Sequence, residues 1–160
     1  MIETMSGDLL QADAEALVNA VNCVGVMGRG IALQFRKAYP ENYYAYRKAC
    51  KAGEVLPGRM LTFPTDLAVN PKYIINFPTK RHWKDASRIE DICAGLRALI
   101  GEIDRLGIKS IAVPPLGCGN GGLDWADVEP LIRRAFSKMA DLHVLLFVPL
   151  VAPEAFPRSR

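Results

Sequence analysis

The sequence predicts an α/β fold in which a largely parallel sheet carries helices on both faces. Short apolar runs alternate with helical patterns along the chain, which is the order expected when strands are joined by crossover helices. The run ALVNAVN at 16–22 is short, apolar and bounded by turn residues, as in a strand buried within a sheet. Both observations favour a two-sided sheet over an all-helical or all-β fold.

In the first half of the chain, helices are predicted at 30–39 and 40–53, and strands at 1–5, 16–22, 59–64 and 72–78. The strand at 1–5 is expected at an edge of the sheet. Pro40 stands at the first position of the second helix, where its missing N–H is tolerated, and Gly53 stands where a helix cap is expected. A proline ends each of the two later strands, because proline cannot donate to a sheet.

In the second half, strands are predicted at 110–116 and 143–149, and helices at 87–107 and 124–140. The first of these helices carries a stripe of apolar residues at helical spacing: Ile92, Leu96, Leu99, Ile100 and Ile103. Ser87 and Glu90 predict a capping box at its start, and Asp124 or Trp125 begins the last helix. One domain is expected over 1–150, followed by a tail or the start of a linker over 151–160.

Composition limits the class of protein. The chain has 160 residues, of which 50% are hydrophobic and 23% are charged, so it is globular and long enough for a core. No apolar run reaches the ~18 residues of a membrane helix, and the acidic N-terminus is unlike a signal peptide. The cysteines are far apart and form no C-x-x-C pair, which favours a reducing cytoplasm and predicts no metal site. A net charge of +3 permits a polyanionic partner.

Two glycine clusters follow predicted strands. Gly25, Gly28 and Gly30 come after 16–22, and a second cluster comes after 110–116: Gly117, Gly119, Gly121 and Gly122. Ligands bind beyond the carboxyl ends of strands in such sheets, and glycine lets backbone N–H groups approach a phosphate. Two such loops predict a diphosphate held between them; the alternative is that the glycines only turn the chain. The spacing matches neither a dinucleotide-fold fingerprint nor a P-loop.

These motifs resemble the macrodomain family of ADP-ribose-binding modules. The resemblance rests on Gly7-Asp8-Leu9-Leu10, Asn19-Ala20-Val21-Asn22 and PLGCGNGG at 115–122, and covers roughly residues 1–150. Within the family, three longer stretches are similar to the DarG-type antitoxin branch: VGVMGRGIALQF at 24–35, NFPTKRHW at 76–83 and GCGNGGLDW at 117–125. The resemblance implies a three-layer α/β/α fold with a central mixed, largely parallel sheet, and no metal or cofactor.

The resemblance also implies an activity and a set of ligand contacts. The DarG-type branch removes ADP-ribose from thymidine bases in single-stranded DNA and counters a DarT-type toxin. Asp8 would accept a hydrogen bond from the adenine amino group beside the Leu9 backbone, and Asn22 would contact the distal ribose. The remaining contacts would wrap the distal ribose and the diphosphate: Gly28, Gly30, Ile31, Gly117, Cys118, Gly119, Asn120 and Gly121.

Lys80 falls where this branch carries its catalytic lysine. It follows a strand ended by Pro78, so the residue pattern also puts it at the ligand edge of the sheet. As an ammonium it would protonate or stabilise the departing base, and as a neutral amine it would attack C1″, the anomeric carbon of the distal ribose. A related branch pairs this lysine with an aspartate just after Gly-Cys-Gly. Here Asn120 takes that place, and Asp124 comes later, where it equally suits a helix cap.

The basic stretch KRHWK at 80–84 predicts contacts to DNA. Trp83 would stack on an unpaired base while Arg81 and Lys84 follow phosphates, with His82 between them. The alternative is a solvated basic loop with Trp83 packed against the domain.

Three other functions remain open from the sequence. The first is a module that binds ADP-ribose without cleaving it, and the second is a hydrolase of ADP-ribosylated protein carboxylates or of O-acetyl-ADP-ribose. The third is an unrelated nucleotide-binding domain. Cys118 has no basic partner visible in the sequence, so a packing role is favoured over a nucleophilic one.

Overall fold

The computed structural model describes residues 1–150, and the predicted tail 151–160 lies outside the described residues. Within them the strands are β1 Ile2–Met5, β2 Ala16–Val21, β3 Leu61–Pro64, β4 Tyr73–Pro78, β5 Ser110–Val113 and β6 His143–Phe147. The α-helices are α1 Gly30–Ala38, α2 Pro40–Lys51, α3 Ile89–Leu106 and α4 Trp125–Phe136. Every predicted strand and helix is present, with ends that differ by a few residues. None of these helices is long and apolar enough to cross a membrane.

All six strands form one sheet in the order β1-β6-β5-β2-β4-β3. Only β3 runs antiparallel to its neighbour, so the sheet is mixed and largely parallel, as predicted. β1 lies at one edge, which confirms its prediction as an edge strand. Because the other strands are parallel, the loops that follow β2, β4 and β5 all emerge at the same edge of the sheet.

Helices cover both faces of this sheet. Ala16 and Val18 on β2 face a core that they share with α3 and α4, whereas Leu17 between them faces the opposite side, toward Phe35 of α1. A smaller cluster that includes Tyr46 packs beneath α2. The result is the three-layer α/β/α arrangement that the resemblance implied.

Proline and aspartate set several element ends. β5 ends at Val113 rather than at residue 116, because Pro114 and Pro115 have no N–H to donate to a neighbouring strand. Pro40 occupies the first turn of α2, as predicted. Asp124 caps α4 by accepting a hydrogen bond from Ala126 N at 3.1 Å.

The predicted capping box at Ser87 and Glu90 is wrong. The N-cap of α3 is Arg88, and no side chain caps the helix there. Ser87 lies one residue too early because its backbone N–H donates to Gly121 O at 2.9 Å, which ties it to the second glycine cluster. Its buried hydroxyl has no hydrogen-bond partner among the described residues.

Two glycines in α3 provide a matched test of the packing. A Cβ on Gly95 would overlap the ring of Phe77, whereas one on Gly101 would meet open space. We expect Gly95→Ala to lower the free energy of unfolding by about 1–3 kcal/mol through overpacking. We expect Gly101→Ala to raise it by about 0.5–1 kcal/mol, because alanine favours the helix. Urea denaturation followed by circular dichroism measures both, and equal effects of the two variants would contradict this packing.

Candidate functional site

A cleft of about 1050 Å³ opens at the edge of the sheet where the strands β2, β4 and β5 end. The residues predicted to bind ADP-ribose all line it: Asp8, Leu9, Asn22, Gly28, Gly30, Ile31, Gly117, Cys118, Gly119, Asn120 and Gly121. Lys80 and Trp83 line it as well, while Arg81, His82 and Lys84 do not. The structure therefore brings together residues from distant parts of the sequence, as the two glycine clusters indicated.

Asp8 stands at one end of the cleft, after β1. Its Oδ1 accepts a hydrogen bond from Leu10 N at 3.0 Å and caps the short 3-10 turn Leu9–Gln11. A carboxylate has two oxygens, so Oδ2 remains available to an amino group. Phe147, at the end of β6, also lines the cleft and is 5% exposed. This end offers an acceptor beside an apolar wall.

The N-terminus of α1 lines the cleft. Its N-cap, Arg29, makes no capping hydrogen bond from its side chain. The first N–H bonded within the helix is that of Leu33, which donates to Arg29 O. Residues 30–32 line the cleft, and their N–H groups have no partner within the helix. The helix dipole adds partial positive charge at this helix end. Such a helix end suits an anion.

The two glycine clusters approach each other across the cleft. A Cβ on Gly30 would lie 3.1 Å from Asn120 Nδ2, and the φ of Gly30 is +60°. In the second cluster a Cβ on Gly117 would lie 2.7 Å from Leu123 Cδ1, and one on Gly121 would overlap the hydroxyl of Ser87. Side chains at these positions would therefore fill the cleft or displace its wall, which is the physical reason for glycine here.

Lys80 enters the cleft from the segment that follows β4, residues 79–85, called here the Lys80 loop. Its Nζ donates to Trp83 O at 3.2 Å. Burial and the nearby Arg29 lower the pKa of Lys80, and the carboxylate of Asp85 opposes them. The end of β2 and the residues just after it hold this loop, since Thr79 N donates to Val21 O at 2.8 Å and Cys23 Sγ to Lys80 O at 3.4 Å.

Arg81 turns away from the cleft. Its Nε and Nη2 donate to the two carboxylate oxygens of Asp91 at 3.2 and 3.1 Å. The Asp91 side chain is 9% exposed on the first turn of α3, so this paired geometry neutralises a carboxylate that is almost buried. Arg81 thereby anchors the Lys80 loop to α3, which leaves its predicted DNA contact untested.

Trp83 is the exposed aromatic of the site. It is 47% exposed on the wall of the cleft, and Lys84 Nζ lies 5.2 Å from its ring centre. The His82 ring lies against the same indole at 5.2 Å between centroids, and its Nδ1 accepts a hydrogen bond from Lys84 N. Trp83 is therefore half-exposed on the cleft wall, and its predicted stacking on a DNA base stays a prediction.

The family model described as Macro domain matches residues 18–132, most of the chain. The chain belongs to the macrodomain family. Among curated proteins it is 57% identical over 149 residues to the DNA ADP-ribosyl glycohydrolase of Mycobacterium tuberculosis, a match that covers 93% of this chain and 42% of that protein. The chain thus spans less than half the length of such relatives.

Solved structures of macrodomain proteins superpose closely on this chain. The macrodomain of Mycobacterium tuberculosis DarG superposes with a TM-score of 0.93 at 57% identity, covering 94% of this chain and 99% of that one. Thermosipho africanus DarTG, solved in complex with ADP-ribose, superposes with a TM-score of 0.86 at 34% identity, covering 98% of this macrodomain and 43% of that chain. This macrodomain is therefore similar to DarG-type domains throughout its length.

Sequence reasoning missed Tyr46, which supports the first glycine cluster of this macrodomain. Tyr46 is fully buried on α2, and its Oη lies 2.7 Å from Asn22 Oδ1 and 2.8 Å from Asn22 O. Asn22 Nδ2 in turn donates to Val26 O at 2.8 Å. Burial raises the pKa of Tyr46, so the phenol keeps its proton. Helical periodicity could place Tyr46 on a buried face, but not opposite Asn22.

The environment of Cys118, in the second glycine cluster, keeps its thiol protonated. Burial and then the charge of Asp124 raise the pKa of the Cys118 thiol to about 11. A thiol of this kind is protonated at neutral pH and is a poor nucleophile, as expected from the sequence. Among residues 1–150, no three His, Cys, Asp or Glu side chains form a group that could hold a metal ion.

Cys118 should therefore react slowly with iodoacetamide at pH 8, because only the thiolate is alkylated. Its rate should rise about tenfold for each pH unit between pH 8 and 10, whereas glutathione in the same tube levels off near its own lower pKa. Peptide mass spectrometry measures the rate at Cys118 separately from the other cysteines. Alkylation as fast as that of glutathione at pH 8 would contradict the protected thiol.

Proposed function

We propose that this macrodomain is an ADP-ribosyl glycohydrolase that removes ADP-ribose from thymidine bases in single-stranded DNA. One observation carries the proposal: Lys80 stands in the same cleft as two facing glycine clusters and an uncapped helix N-terminus. The cleft therefore combines an anion-binding backbone with a titratable amine whose pKa is lowered. This is the arrangement needed to hold a diphosphate and act on a sugar bonded next to it.

The geometry of the cleft supports a role in binding ADP-ribose. The free N–H groups at the start of α1 and the second glycine cluster would hold the diphosphate from its two sides. Asp8 would accept from the adenine amino group, with Phe147 beside the base. Asn22, held by Tyr46, would stand at the distal ribose with Gly28 and Ile31. The solved Thermosipho africanus DarTG holds ADP-ribose, which supports the same ligand here.

Lys80 would act on the bond between C1″ and the base nitrogen. As an ammonium, it donates its proton to the base while that bond breaks, and water adds to C1″ and loses a proton. As a neutral amine, it forms a Schiff base with C1″ of the opened ribose as the base leaves with a proton, and water then hydrolyses the Schiff base. Either route yields free ADP-ribose and the intact base, and restores Lys80.

DNA is the proposed carrier of the ADP-ribose. The exposed ring of Trp83 and the ammonium of Lys84 flank Lys80, and base stacking on an aromatic ring is worth about 1–3 kcal/mol. The name of the Mycobacterium tuberculosis relative, a DNA ADP-ribosyl glycohydrolase, supports the same substrate. A DarT-type toxin would supply the lesion, and a DNA substrate fits the cytoplasmic location expected from the cysteines.

Lys80→Ala tests the catalytic proposal. We expect hydrolysis of an ADP-ribosylated thymidine oligonucleotide to fall about 100-fold or more, because positioned acid–base groups contribute about that much. The Kd for free ADP-ribose should stay nearly unchanged, since the diphosphate is held by backbone groups. Lys109→Ala is the matched control, because Lys109 is an exposed lysine at the opposite end of β5.

Three results would count against the proposal. A wild-type protein that binds ADP-ribose without turnover would be a reader module rather than an enzyme. Faster hydrolysis of glutamate-linked ADP-ribose or O-acetyl-ADP-ribose would remove the thymidine assignment. Tighter binding of ATP or NAD than of ADP-ribose would point to an unrelated nucleotide site.

The pH profile distinguishes the two roles of Lys80. Asp85 raises the pKa of Lys80, so Asp85→Asn should lower that pKa further. The limb of the pH–rate profile that reports the ionisation of Lys80 should then move to lower pH. If the neutral amine reacts, the rate rises with pH along this limb; if the ammonium reacts, it falls. The displacement should shrink at high salt, because Asp85 is exposed.

Asp104→Asn, an exposed aspartate in the last turn of α3, serves as the control and should leave the limb in place. A limb that stays fixed in Asp85→Asn at low salt would show that Lys80 does not set the pH dependence.

A further inference from the structure

The segment that contains α1 and α2 holds an excess of positive charge. Residues 29–51 include six arginines and lysines and one acidic residue, Glu41, so this segment alone exceeds the +3 net charge of the whole chain. All six cations are exposed. The positive charge of the protein is thus concentrated on the exposed surface of this segment rather than spread evenly along the chain.

Four residues of α2 form a continuous stripe on this surface. Tyr44, Arg47, Lys48 and Lys51 are spaced i, i+3, i+4 and i+7, so they share one face of the helix. Each is exposed, and Tyr44 is 62% exposed. This set is called the α2 strip. An aromatic ring followed by three cations on one face combines stacking with charge.

An arginine of α1 converges on the α2 strip. Arg36 Cζ lies 4.4 Å from the ring centre of Tyr43, and Arg47 Cζ lies 5.9 Å from it. The Tyr43 ring is buried and contacts Tyr44 at 5.8 Å between centroids. Cation–π contacts of this kind hold the two guanidinium groups at the Tyr43 ring, which is the neighbour of the exposed Tyr44 ring. These contacts place both arginines on the side of α2 that carries the α2 strip.

The cations of the α2 strip and Arg36 form no ion pair within the described part of the chain. The ion pairs there involve Arg81, Arg105, Arg133 and His143, and none includes a residue of the α2 strip or Arg36. Guanidinium and ammonium groups that face solvent without a carboxylate keep their donors free for phosphate oxygens.

The α2 strip adjoins the cleft. A Cβ on Gly25 would lie 3.4 Å from Arg47 Cγ, so Arg47 packs against the first glycine cluster. The next residue, Val26, lines the cleft and accepts the hydrogen bond of Asn22 Nδ2. The proposed function puts Asn22 at the distal ribose, so a DNA strand attached to that ribose would pass near Val26 and the neighbouring Arg47.

We infer that the α2 strip binds the single-stranded DNA on one side of the lesion, through phosphates at Arg47, Lys48 and Lys51 and a stacked base at Tyr44. This inference rests on the proposed function, which places a DNA-linked ribose in the cleft. An acidic protein partner would use the cations but gives no reason for an exposed ring beside them. The strip spans about 10 Å along α2, the length of a few stacked nucleotides. Trp83 and Lys84 receive the strand on the other side.

Two variants of exposed residues test the strip without touching the cleft. Lys48→Ala/Lys51→Ala should weaken binding of an unmodified single-stranded oligonucleotide about fivefold or more at 0.1 M salt. For the same variant, the slope of log Kd against log salt concentration should become smaller by about 0.7 for each phosphate that is no longer neutralised. Tyr44→Ala should weaken the same binding about fivefold or more with little change in that slope. Fluorescence anisotropy measures both.

The control is Arg134→Ala/Lys138→Ala, which removes two exposed cations at the far end of α4. It should leave oligonucleotide binding unchanged. The inference is overturned if the α2 double variant binds the oligonucleotide as the wild type does, or if the control loses as much affinity. A general loss of structure is detected by the Kd for free ADP-ribose, which should stay constant in all variants.

Turnover separates this inference from the proposed function. With ADP-ribosyl-thymidine as a mononucleotide, wild type and strip variants should show the same kcat/KM. With longer ADP-ribosylated strands, kcat/KM should rise for the wild type and rise much less for the strip variants. A wild type that binds the oligonucleotide through the strip but shows no turnover would overturn the proposed function alone.

Discussion

The docking of α2 on the sheet is the constraint on which the cleft depends, and a buried hydrogen-bond network fixes it. Asn76 on β4 exchanges hydrogen bonds with Asn42 on α2 at 2.8 and 3.2 Å and accepts another from Asn19 on β2 at 3.1 Å. All three side chains are fully buried. Among the described residues only Asn19 Oδ1 of this trio is buried without a hydrogen-bond partner. An amide group that loses its partner in such a core costs about 1–3 kcal/mol, so the network favours the observed placement of α2.

The position of α2 also determines the shape of one wall of the cleft. One turn beyond Asn42, Tyr46 meets Asn22, which shapes the loop at 22–26. The loop at 22–26 also contacts the Lys80 loop, because Cys23 Sγ donates to Lys80 O. The ion pair between Arg81 and Asp91 anchors the Lys80 loop to α3. The lysine is therefore positioned from both faces of the sheet. The glycines provide room for a ligand, but buried contacts on either side decide where the amine stands in that room.

Much of the fold and of the candidate site could be predicted because the signals are local. Apolar spacing along α3, Pro40 at the start of α2 and the paired glycine clusters depend on neighbouring residues, and parallel strands necessarily bring their following loops to one edge. The errors and omissions involve long-range contacts. Ser87 was expected to cap α3 but binds Gly121, and the partner of Arg81 is ten residues away on another element.

By itself the sequence determined the α/β alternation, the edge at which ligands bind and the family to which the chain belongs, because these follow from periodicity and from motifs of a few residues. Only the tertiary structure decided that Tyr46 supports Asn22, that Trp83 lines the cleft and that the α2 strip lies beside the first glycine cluster. The physical reason is that hydrogen bonds and exposure depend on which surfaces meet, and the packing of helices on a sheet joins residues that no local pattern connects.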